Sequence, residues 1–198
     1  SGGGRLQFYW GPSVVGQSIT ISDITVEEIP VLPTFTQGTK YLQNSTAGIV
    51  TIPSNTAFGT WEFDLYKGTD AGTLSVVFVN NNTNIYPNTV NSYYILINSS
   101  EAIYLTKATG ASYGYLFNTT TSYININTWY SMRITRTVTG VFSVYIKGGA
   151  FTDWTLITAS SGTNPVTDTT YTTSSNLVID LDAGDRITNL KIYDGVRV

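Results

Sequence analysis

The chain has 198 residues, no cysteine, no histidine and a formal net charge of −3. The missing histidine excludes Ser-His-Asp triads, imidazole bases and the common zinc sites, and the missing cysteine excludes disulfides and thiol chemistry. Charged residues make up only 12%, and the basic ones do not cluster, which excludes a phosphate-tracking nucleic-acid surface.

A chain of this length can bury about 70% of its unfolded surface, so one large domain needs no staple. Thr, Ser and Asn stand where charges usually do, and with Val, Ile and Tyr they favour strands and turns. No window combines helical periodicity with helix formers, and no apolar run reaches membrane-spanning length. The expectation is an all-β, two-sheet antiparallel sandwich of jelly-roll type with almost no helix.

In residues 1–30, Ser1-Gly2-Gly3-Gly4 reads as a linker. Leu6, Phe8 and Trp10 then alternate up to Gly11-Pro12, and Ile19, Ile21, Ile24 and Val26 follow Gly16. Pro30 and Pro33 bracket an extended connector. Residues 31–198 are expected to form the main domain.

Lys40–Leu42 and Gly48–Ile52 read as short strands. In Gly59–Lys67, Trp61, Phe63 and Leu65 alternate with Glu62, Asp64 and Tyr66, a period of two that sets an apolar face against a polar one. Leu74–Val79 reads as a buried strand, and the asparagine cluster Asn80–Asn84 as a loop. Tyr93–Asn98, Ala102–Lys107 and Tyr113–Asn118 are further strands. The stretch Trp129–Gly149 reads as a hairpin turning at Thr139-Gly140. Its Tyr130, Met132, Ile134, Phe142, Val144 and Ile146 face one way, and Arg133, Tyr145 and Lys147 the other. Trp154–Ala159, a long polar loop over Ser160–Ser175, and strands at Leu177–Leu181 and Ile187–Tyr193 complete the pattern. About a dozen short strands separated by turn clusters point to a sandwich or jelly roll.

From Gly48 onward this order resembles the concanavalin A-like, laminin G-type jelly roll. The features that carry the resemblance are GTWEFDLYK at Gly59–Lys67, the WYSMRITR hairpin arm at Trp129 and the closing GDRITNLKIYDG at Gly184. The resemblance implies a lectin, a carbohydrate-binding module, a glycan hydrolase or lyase, or an adhesion or phage virion domain, and fold does not choose among these. The phrase GQSITISDITVEEI at Gly16 resembles the closing strand of such a domain. Residues 1–30 are therefore either the end of a preceding domain, a strand that docks on the main one, or an ordinary strand pair.

Three constellations bear on chemistry. Glycoside hydrolases of family 16 on this fold carry E-x-D-x-x-E, whose carboxylates act as nucleophile and acid/base. Here Glu62 and Asp64 match, but Lys67 takes the place of the second Glu, so no catalytic residues are expected. Asp180, Asp182 and Asp185 around Gly184 offer oxygen ligands for a structural calcium ion, although Lys191 stands where a late bidentate Glu would be. The other reading of these residues is an acidic turn.

The third constellation is aromatic. Sugar sites pair an exposed ring with Asn, Asp or Arg. Tyr66, Tyr93, Tyr104, Tyr113, Tyr115, Tyr145 and Arg133 are candidate platform residues, with Asn81 and Asn82 nearby in sequence. Each ring also has a plain alternative, packing on a cross-strand neighbour.

The sequence thus reads as a non-catalytic exterior module for glycan recognition or attachment, in a virion or a secreted multidomain protein. A purely structural capsid or tail decoration domain is the alternative, and a polysaccharide-degrading enzyme the third reading. Expected partners are a glycan or another virion or surface protein, or a second copy of the chain, with no nucleic acid and no membrane span.

Overall fold

The structure, a computed structural model, describes residues 41–43, 48–81 and 91–197. The readings for residues 1–30 and for the proline connector lie outside the described residues, as does Asn82.

Among the described residues there are fourteen β-strands and no α-helix. One sheet runs in the order β1 (Leu42–Gln43), β14 (Arg186–Tyr193), β3 (Gly59–Tyr66), β8 (Trp129–Arg136), β9 (Val141–Gly148) and β10 (Phe151–Leu156), with β12 (Val166–Thr167) also pairing β9. We call it sheet A. Sheet B runs β11 (Ser161–Gly162), β7 (Ser112–Asn118), β6 (Ile103–Thr109), β5 (Ser92–Ile97), β4 (Leu74–Asn80), β13 (Asn176–Leu181) and β2 (Gly48–Pro53). Every pairing is antiparallel. The all-β two-sheet sandwich expected from the sequence is the fold observed.

The alternation sets the core. Trp61, Phe63 and Leu65 of β3, Tyr130, Met132 and Ile134 of β8, and Phe142, Val144 and Ile146 of β9 all point inward. They meet Leu74, Val76 and Phe78 of β4 and Ile95 and Ile97 of β5 from sheet B. Trp61 and Phe78 rings lie 4.9 Å apart, and Tyr93 meets Phe142 edge-on at 4.8 Å. Such pairs contribute about 0.5–1.5 kcal/mol beyond their area burial.

Sheet B also buries side chains on its outer face. Val77, Tyr94, Leu96, Ala108 and Val178 form a second apolar cluster, with Tyr104 packed beside it. This explains why β4 and β5 are buried along their whole length and read as continuous apolar runs.

Two buried cations sit at opposite ends of β3. Arg136, across from Gly59, donates to the carbonyls of Ala57 (2.9 Å), Tyr171 (2.6 Å) and Asp168 (2.9 Å) and lies over the rings of Phe58, Tyr93 and Phe142. Lys67, just past Tyr66, pairs with Asp185 at 3.3 Å, and neither side chain has exposed surface.

Some boundaries differ from the sequence reading. β10 starts at Phe151, three residues before the expected Trp154, and the polar loop after Ser160 contains the two-residue strands β11 and β12. Two-residue strands carry no periodicity from which to find them.

Candidate functional site

Tyr104, Tyr113 and Tyr115 converge. Tyr115 lies opposite Thr106 and Tyr113 opposite Ala108 in the β6–β7 ladder, so both rings share the outer face of sheet B with Tyr104. Ring centroids are 4.5 Å apart for Tyr104–Tyr115 and 5.8 Å for Tyr113–Tyr115. Tyr113 is 56% exposed and Tyr115 48%. The Tyr104 hydroxyl accepts a hydrogen bond from Asn98 Nδ2 at 3.1 Å.

The ladder lies at a sheet edge. β11 pairs only with Phe117 and Asn118, so no described strand covers Ser112–Leu116 on that side. A cleft of about 250 Å³ runs along this edge, lined by Lys107, Thr109, Asp168 and Ser112–Leu116. Within it Lys107 Nζ reaches Asp168 at 2.8 Å and Thr170 Oγ1 at 2.6 Å.

Tyr93 is a correction. Its alternation with Tyr94 turns it inward, and it has no exposed surface. It is a core ring, not a platform, and its hydroxyl donates to the Asp168 carboxylate. Burial and that hydrogen bond push the Tyr93 phenol up to about 12. For Asp168 burial favours the neutral acid, but hydrogen bonds from Lys107, Tyr93 and Thr170 outweigh it and hold the carboxyl well below the usual carboxylate range.

Tyr66, Arg133 and Tyr145 lie on a different surface, the outer face of sheet A. Glu62, Arg133 and Tyr145 are direct cross-strand neighbours. Arg133 Nε donates to Glu62 Oε1 at 2.7 Å, and its guanidinium stacks 4.3 Å from the Trp154 ring. Tyr66 lies across from Trp129, with rings 5.3 Å apart and the Tyr66 hydroxyl on Asn127 Oδ1 at 3.0 Å. Arg186 stacks over both Tyr66 and Tyr41 at 4.7 Å. Trp129 and Trp154 are the surface rings that the sequence reading missed. Trp129 opened a recognised hairpin, but its proximity to Tyr66 depends on β3–β8 register. Asn81 accepts a hydrogen bond from Thr173 Oγ1 at 3.1 Å.

The carboxylates of the acidic loop make bonds within the protein. The Asp182 carboxylate accepts the Thr73 N–H. The buried Asp185 takes the Gly68 N–H at 2.9 Å and Lys67 Nζ at 3.3 Å. Burial, then the charge of Asp182, raises the Asp180 carboxyl. Among the described residues no group of three or more acidic side chains is placed to hold a metal ion.

No protein-family model and no curated protein sequence matches the chain. Solved structures do. The exoplasmic/lumenal domain of VIP36, in its Ca²⁺/Man-bound form, is 11% identical, with 78% of each chain covered and a TM-score of 0.59. The carbohydrate recognition domain of Emp46p, in its potassium-bound form, is 14% identical, covering 79% of this chain and 83% of that one at a TM-score of 0.51. At these identities the likeness is one of fold alone, a two-sheet antiparallel jelly roll.

Proposed function

We propose that this chain is a non-catalytic exterior β-sandwich module that recognises glycans through Tyr104, Tyr113 and Tyr115. The observation that carries this reading is the ladder itself, three rings in series with Tyr115 against both Tyr104 and Tyr113, and two of them about half exposed. Rings already held by their neighbours lose little freedom on binding, and each offers an apolar face with a hydroxyl tip to a sugar. The folds of VIP36 and Emp46p, one Man-bound and the other a carbohydrate recognition domain, support the reading.

Hydrolysis finds no support in the carboxylates of β3. Glu62 is bonded to Arg133, and Lys67 occupies the place of the second acid with its side chain buried against Asp185. The Thr- and Asn-rich, cysteine-free composition suits a virion surface or a secreted multidomain protein. In this reading residues 31–198 are the recognition domain.

The test is a broad glycan array probed with the natural chain and with the Y113A/Y115A double variant. Array hits that the double variant loses about tenfold or more, a cost of about 1.4 kcal/mol, are the expected result. No hit across the array would overturn the reading.

A further inference from the structure

Across the outer face of sheet A, Thr188, Asp64, Ser131 and Lys147 stand in one cross-strand row, each directly opposite the next. Four adjacent strands at about 4.8 Å spacing make this row about 14 Å long. The side chains at Thr188, Asp64 and Ser131 are short, whereas both flanking rows are tall. On one side are Arg186, Tyr66 and Trp129, and on the other Lys191, Glu62, Arg133 and Tyr145. The row is therefore the floor of a trough. It contains a cavity of about 390 Å³ lined by Asp64, Trp129, Tyr130, Ser131, Lys147, Gly148 and Thr188. That volume lies within the range of about 300–1,000 Å³ typical of small-ligand sites.

The polar groups of the trough are not equivalent. The Asp64 carboxylate is oriented by Ser131 Oγ and Asn189 Nδ2, each at 2.5 Å, and keeps lone pairs for a ligand hydroxyl. Trp129 is 38% exposed and walls one side. Lys147 is exposed and has no ion-pair or hydrogen-bond partner among the described residues. Asp64 lies two strands away, a backbone separation of about 9.6 Å, and no ion pair joins it to the ammonium. The three rows hold four cations, Arg133, Lys147, Arg186 and Lys191, against two carboxylates, Glu62 and Asp64. The chain as a whole is −3. A locally positive face on an acidic protein favours an anion.

We infer that this trough is a second ligand site, on the opposite sheet from the tyrosine ladder, and that it takes an acidic saccharide unit. The sugar ring lies against the Trp129 indole, its hydroxyls meet Asp64 and Ser131, and its anionic group pairs with Lys147. A carboxylate and a sulfate ester share the chemistry that Lys147 recognises. The inference does not depend on the ladder, because none of the ladder residues lines the trough.

The experiment titrates the natural chain with three oligosaccharides of equal length, one carboxylated (an oligogalacturonate), one sulfated and one neutral, by calorimetry at low and at high salt. The expected result is binding of an acidic oligosaccharide that falls about tenfold in Lys147→Gln and in Trp129→Ala, that weakens with salt, and that is unchanged in Y113A/Y115A. The acidic oligosaccharide that binds more tightly identifies the anionic group. Lys147 is exposed, so its variant keeps the fold, and a matching unfolding temperature checks this. Equal affinity of the Y113A/Y115A variant for the neutral oligosaccharide would overturn the inference. So would an acidic ligand indifferent to Lys147→Gln, or no binding of either acidic oligosaccharide. Loss of array hits in Y113A/Y115A reports on the ladder alone, so the two readings fail separately.

Discussion

Lys67 and Asp185 form an ion pair, 3.3 Å long, with neither side chain exposed. The pair ties the end of β3 to the turn before β14, and Lys67 Nζ also reaches the Ala71 carbonyl at 3.2 Å. Removing one partner leaves a buried charge alone. Lys67→Met and Asp185→Ala are each expected to cost about 3–5 kcal/mol in chemical denaturation, and the Lys67→Met/Asp185→Leu double variant to recover most of it. Additive losses would show that the two residues act separately.

Asp168 and Tyr93 predict a stability plateau with two edges. The Asp168 carboxyl is held below its ordinary value in the folded state. Its contribution is therefore complete above the unfolded value of about 3.9 and lost as pH falls through the lower folded value. The Tyr93 phenol is raised to about 12, so its contribution is complete below the unfolded value of about 10 and lost as pH rises through the folded one. Unfolding curves across pH should show Asp168→Asn flattening the acid limb and Tyr93→Phe the alkaline limb. Identical pH profiles for these variants and the natural chain would contradict this.

Phe142 has no exposed surface and touches both Phe78 and Tyr93. Phe142→Ala should cost about 3–5 kcal/mol. By contrast Tyr113→Ala, at a half-exposed ring, should stay within about 0.5 kcal/mol. Thermal unfolding of the two variants side by side separates a core ring from a surface ring.

Gly59 opens β3 at φ 139°, and a Cβ there would lie 2.1 Å from the Tyr193 carbonyl oxygen. Gly59→Ala must push β14 away from β3. A loss of at least about 1–3 kcal/mol is expected by denaturant titration, and an unchanged midpoint would show that the strand end yields freely.

The fold was legible because the period of two is clean in β3, β8 and β9. Glu62, Asp64 and Tyr66 read as an outward face, and Trp61, Phe63 and Leu65 as a core face, and the structure places them so. The site was legible only in part. Tyr113, Tyr115 and Tyr104 lie on the two arms of one hairpin, so their meeting follows from local pairing. Tyr93 was misplaced because β5 is buried on both faces, which erases the alternation that would have marked it as inward. The trough beside Trp129 was hidden for a different reason. Thr188, Asp64, Ser131 and Lys147 come from four strands, and no local pattern encodes their register.

The position of the last two long strands has a consequence for biosynthesis. β13 lies between β4 and β2, and β14 between β3 and β1. Among the described residues, until 176–193 have emerged from the ribosome, β2 has no neighbour in sheet B and β1 none in sheet A. The nascent chain therefore holds several apolar strands open while most of it is being made, and closes both sheets in a late step built on long-range pairing. Such topologies fold slowly and expose strand edges to other chains on the way.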